Sequence, residues 1–83
     1  MNEIRILGVF IKDREKESGN VQRLLTSFGC SIKTRLGLHD IDDNASRPYG
    51  LIVLELTGLT EEMDKLELEF RKLEGVEIQR MIF

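Results

Sequence analysis

At 83 residues, with 41% hydrophobic and 33% charged residues and a formal net charge of −3, the chain fits one small domain over 1–83 and has no room for a second core. Its one cysteine, Cys30, excludes an internal disulfide, and with a single histidine beside it a four-ligand structural zinc site is excluded too, which leaves a partner subunit as the support such a small core needs. Seven basic minus four acidic residues over 1–36 leave +3, five minus eleven over 37–83 leave −6, and no Lys/Arg cluster offers a footprint for a phosphate backbone, so direct nucleic-acid binding is not expected.

The first apolar segment, Ile4 to Ile11, is partly β-branched and is bounded by the charged stretch Lys12 to Glu17, so it reads as a strand. Its six-residue apolar run from Ile6 is too short for a signal-peptide core or a membrane span, and a cytoplasmic location with no membrane partner is expected. Ser18 or Asn20 is then expected to cap a helix whose apolar positions are Val21, Leu24, Leu25 and Phe28, with Gly29 as a left-handed stop. Ile32, Thr34, Leu36 and Leu38 alternate with polar or small residues, the period of an edge strand with one wet face. His39 to Tyr49 reads as a long loop around Pro48, and Leu51 to Thr57 as a third strand. Thr60 is expected to cap a second helix with the stripe Met63, Leu66, Phe70 and Leu73, stopped near Gly75, before a last strand from Val76 to Phe83.

The order βαββαβ with short connections and right-handed crossovers predicts an α+β, ferredoxin-like fold: a four-stranded antiparallel sheet, first and third strands central, both helices on one face. Both alternating sets of those central strands are apolar. One face therefore lacks a helix and is still greasy, and the expectation is that a second copy covers it, as a homodimer or tetramer, through Leu7, Val9, Ile11, Leu51 and Val53.

No nucleophile, base and orienter can be assembled around the lone His39, so the chain does not read as an enzyme, and no cofactor motif is present. A metallochaperone would need a C-x-x-C pair and an iron–sulfur ferredoxin a cysteine cluster. An RNA-recognition sheet would need stacking aromatics on its central strands. Three candidate sites remain. The Ser18-Gly19-Asn20 turn is expected to present backbone N–H groups to an anion at the start of the first helix. Arg47 and Tyr49, flanking Pro48, could clamp a ligand with a guanidinium and a phenol. His39, Asp40 and Asp42 could hold a transition metal, although the calcium-loop spacing of Asp40, Asp42 and Asn44 fails at Ala45 and Leu51. Cys30 reads as a small buried hydrophobe leading into the second strand.

The segment Asp13-Arg14, Gly19-Asn20-Val21, Leu24-Leu25, Phe28-Gly29 and Ile32 resembles the opening of an ACT domain, but with Glu15 to Ser18 lengthening the first loop and no proline in it. The whole chain resembles the iron-only hydrogenase system regulators, which share Asp13-Arg14-Glu15, Arg35-Leu36-Gly37 and the apolar run Gly50 to Leu56. That family is similar to ACT domains and to the regulatory domain of the nickel-responsive repressor. The resemblance implies a regulatory, effector-sensing oligomer without an attached DNA-binding segment, and His39 alone does not carry over the repressor's nickel set. The expected function is thus a non-enzymatic module that takes a small anionic or amino-acid effector near Asp13, Arg14, Gly19, Asn20, Arg47 and Tyr49. The alternative is a metal-sensing or metal-carrying module using the 39–44 loop.

Overall fold

Burial alternates along β1 (Arg5–Ile11), with Arg5, Leu7, Val9 and Ile11 turned to the covered side of the sheet. In the computed structural model, which describes residues 3–38 and 49–83, β1 is followed by α1 (Arg14–Ser27), a 3-10 turn at Gly29–Ser31, β2 (Ile32–Leu38), β3 (Gly50–Leu56), α2 (Thr60–Arg71) and β4 (Val76–Ile82). The four strands lie in the order β2-β3-β1-β4, every neighbouring pair antiparallel, so the two greasiest strands are central. This is the ferredoxin-like arrangement expected from the element order.

Leu7, Val9 and Ile11 are buried with Leu54 and Leu56 of β3 against Val21, Leu24 and Leu25 of α1 and Met63, Leu66 and Phe70 of α2. Their placement corrects the expected interface: with 0%, 0% and 3% exposure they are core, and only Leu51 and Val53 of that set lie on the helix-free face. Both sets of β1 are apolar, so periodicity alone cannot say which one the helices cover. Arg5 decides it, because its in-register position points the guanidinium to carboxylates on α2.

The ends of the helices also differ from the sequence reading. Asp13 caps α1, its Oδ1 accepting the Lys16 backbone N–H at 3.2 Å while its carbonyl accepts that of Glu17 at 3.0 Å. The β1–α1 loop is therefore only Lys12 and Asp13, and Glu15 to Ser18 belong to the first helical turns instead of lengthening it. Gly29 does not stop α1 in the left-handed region. Phe28 donates its N–H to the Leu24 carbonyl and accepts one from Ser31, which tightens the chain into the 3-10 turn. For α2, Leu59 occupies the cap position through its carbonyl alone and Thr60 is the first helical residue.

Edge strand β2 is bulged between Ile32 and Thr34. Ile32 pairs with Leu56 and packs on the core, whereas Thr34 and Leu36 pair with Glu55 and Val53 of the opposite face. The extra residue reverses the alternation, so the four alternating residues do not share one side. Gly58 and Gly75, at φ +89 and +77, make the turns before α2 and before β4, and Gly75 accepts the Lys12 N–H at 2.8 Å.

Candidate functional site

Between α1 and the β2–β3 edge lies an open groove of about 430 Å³. Arg14, Ser18 and Gln22 reach it from one face of α1, spaced by four residues, Arg35 comes from β2, and Tyr49 and Leu51 come from the start of β3. Its described lining holds two guanidiniums and no carboxylate. Arg35 Nη2 donates to Gln22 Oε1 at 3.2 Å, and the Arg14 methylenes run over Gly50, where an added Cβ would touch them at 3.7 Å. Such a groove can take a small anion, each guanidinium offering several N–H donors in a planar fork. The Tyr49 ring stands 5.6 Å from Phe10, tilted by 33°, and so connects the groove to the far face of the sheet.

Of the residues expected to take an effector, Arg14 and Tyr49 line the groove and Asp13 adjoins it as the cap of α1. Gly19 and Asn20 do not line it. Both lie inside α1, where backbone N–H groups are used within the helix, and Asn20 is turned about 200° from Ser18, its amide donating to Glu17 Oε1 at 3.3 Å. The anion-binding turn at 18–20 is thereby corrected to a helix interior. Arg47, together with His39, Asp40 and Asp42 of the metal candidate, lies outside the described residues. Among the described residues, no group of three or more His, Cys, Asp or Glu side chains could hold a metal ion. Cys30 is exposed on the 3-10 turn instead of buried.

Sequence reasoning missed a charge cluster. Arg5, 2% exposed, donates Nε to Glu3 at 2.6 Å and Nη1 to Asp64 at 2.8 Å and to Glu67, itself 2% exposed. Glu67 also accepts from Arg71 at 3.4 Å and Arg80 at 3.3 Å. Burial by itself would lower the Arg5 pKa, but the hydrogen bonds from Glu3, Asp64 and Glu67 outweigh it and push it above the usual arginine value. Three arginines against three acids tie α2 to β1 and β4. The signal was available: Glu67 is four residues after Met63 and three before Phe70, inside the apolar stripe.

Comparison with known proteins places the fold. No family model matches the chain, and no curated protein matches it in sequence. Solved structures do match. The uncharacterized protein TM1266 from Thermotoga maritima aligns with a TM-score of 0.82 at 23% identity, covering 99% of both chains. The ACT domain of a GTP pyrophosphokinase from Chlorobium tepidum aligns at 0.68 and 18% identity, over 98% of this chain and 89% of that one. CPII, a nitrogen regulatory PII-like protein from Thiomonas intermedia solved with ADP, AMP and bicarbonate, aligns at 0.54 and 15% identity, over 99% and 96%. The fold is an ACT-like ferredoxin fold, and within the described residues no helix is long and apolar enough to cross a membrane.

Proposed function

We propose that this chain is a non-enzymatic regulatory module of the iron-only hydrogenase system regulator kind, one that senses a small anionic effector and works as an oligomer of itself. The groove carries the reading: Arg14 and Arg35 face a cavity of about 430 Å³ whose described lining has no acid to neutralise them. The same fold serves in an ACT domain and in a PII-like protein whose structure holds adenine nucleotides and bicarbonate, which favours a small anion over a peptide or nucleic acid. Arg14 would clamp the anion beside the Asp13-capped start of α1, Arg35 would approach from β2, and Tyr49 would close the groove from the start of β3. Bound effector would act by favouring one subunit arrangement, and control of transcription would pass through a partner recruited in trans.

The test is a thermal-shift panel of amino acids, adenine nucleotides and bicarbonate on the purified chain. A compound that binds only the folded form adds about 2.7 kcal/mol at 100 times its dissociation constant. The expected result is a rise in melting temperature with one anionic compound, abolished in Arg14→Ala and in Arg35→Ala. No shift across the panel, or a shift unchanged in both variants, would remove the effector reading.

A further inference from the structure

Both helices pack on one face of the sheet, and among the described residues no helix lies on the other. Register puts Ile6, Phe10, Leu36, Leu51, Val53 and Met81 on that helix-free face: Ile6 is flanked by Glu55 and Met81, Gly8 by Val53 and Gln79, and Phe10 by Leu51 and Glu77. Leu36 and Met81 are each 55% exposed. The charges that the described residues place at its margin are Glu77 and a Lys33–Glu55 pair at 3.8 Å, so among them the face carries no unpaired cation toward a phosphate or lipid headgroup. At its centre Gly8 leaves a hollow, in which the nearest atom to an added Cβ would be the Gln79 carbonyl oxygen at 3.9 Å.

We infer that this face binds the same face of a second copy of the chain, sheet against sheet, with a side chain of the partner seated over Gly8. A two-fold pairing requires one patch that is complementary to itself, and an apolar face with polar margins meets that requirement when the axis lies beside Gly8, so that a side chain of each copy falls over the glycine of the other. Four strands of seven residues span about 19 by 23 Å at ordinary strand spacing and rise. Two such faces cover roughly 900 Å² in projection, just short of the about 1,000 Å² a specific interface needs, and side-chain relief adds to the area buried. Stacked sheets approach to about 10 Å, and a glycine in mid-strand removes the side chain that would hold them further apart at the centre. This deepens the oligomeric part of the proposed function by naming its surface, and it does not depend on the effector.

Sedimentation equilibrium of the full chain at micromolar concentration tests it, with far-UV circular dichroism to verify folding. The wild type is expected as a dimer or a multiple of one. Met81→Lys and Val53→Lys should each weaken the self-association about tenfold or more, because both set an ammonium against an apolar partner. Gly8→Leu, which fills the hollow, should weaken it while the chain stays folded. Leu68→Lys, at an equally exposed site on α2, should leave it unchanged. A wild-type monomer would overturn both the surface and the oligomeric function. A dimer that persists in folded Met81→Lys and Gly8→Leu would overturn only the surface.

Discussion

A buried arginine is costly unless its charge and donors find acceptors, and Arg5 sets Nε and Nη1 against three carboxylates. Its guanidinium is held by Glu3, Asp64 and Glu67, and Glu67 is in turn shared with the half-exposed Arg71 and Arg80. Removing one member of a buried pair strands the other, which is the expensive case. Glu67→Ala should therefore cost about 3–5 kcal/mol in chemical denaturation, whereas Arg5→Met combined with Glu67→Leu should cost much less than that single change. A double variant as unstable as Glu67→Ala would contradict the argument. Because the Arg5 pKa is raised in the folded state, its contribution is fully present below the ordinary arginine value and is lost only as pH climbs past the raised one. The Arg5 charge should therefore add no alkaline fall in stability over the neutral range, which a pH series of denaturation midpoints would verify.

At the level of elements, α1 repays attention because the sequence reading began it too late. Ser18-Gly19-Asn20 has the composition of a turn, yet Asp13 five residues earlier has the same capping chemistry and a short path from β1. Gly19 is left in mid-helix with open space around an added Cβ. Gly19→Ala should stabilise the chain by about 0.5–1 kcal/mol, since alanine loses less backbone entropy and meets nothing. If Gly19 were part of an effector turn, the same change would abolish ligand-induced melting shifts, and the two outcomes are read in one thermal-shift experiment. Gly58→Ala is the opposite case: there too the Cβ would meet nothing, but a φ of +89 forces it into a region L residues avoid, at about 1–2 kcal/mol. The bulge in β2 belongs to this scale as well. It turns Ile32 inward and leaves Leu36 on the opposite face, which strict alternation could not show.

For the whole molecule, the balance between a small core and an uncovered apolar face decides behaviour. Among the described residues, eleven buried hydrophobic side chains form one cluster on the helix side, while the other side carries Phe10, Leu36 and Met81 open to solvent. If a second copy covers that side, unfolding is coupled to dissociation and the melting temperature must rise with protein concentration. A calorimetric series over two decades of concentration should show that rise in the wild type and lose it in Met81→Lys. The groove between α1 and β3 and this face share Leu51 and meet at the Tyr49–Phe10 contact, so occupation of one has a physical route to the other.

Local pattern was enough for the six elements, their order and the ferredoxin-like sheet, because apolar periodicity and short connections leave few topologies open. It also marked Arg14 and Tyr49, both of which line the groove. It could not choose between the two apolar sets of β1, since Leu7 and Phe10 are equally greasy in one dimension, and so it assigned Leu7, Val9 and Ile11 to the wrong side. Nor could it pair Arg5 with Glu67, 62 positions away, or bring Arg35 to Gln22 at the groove that Arg14 also lines. Those are contacts between distant segments, and they exist only once a β-bulge, a short capped loop and the packing of both helices have set which face of each strand looks inward.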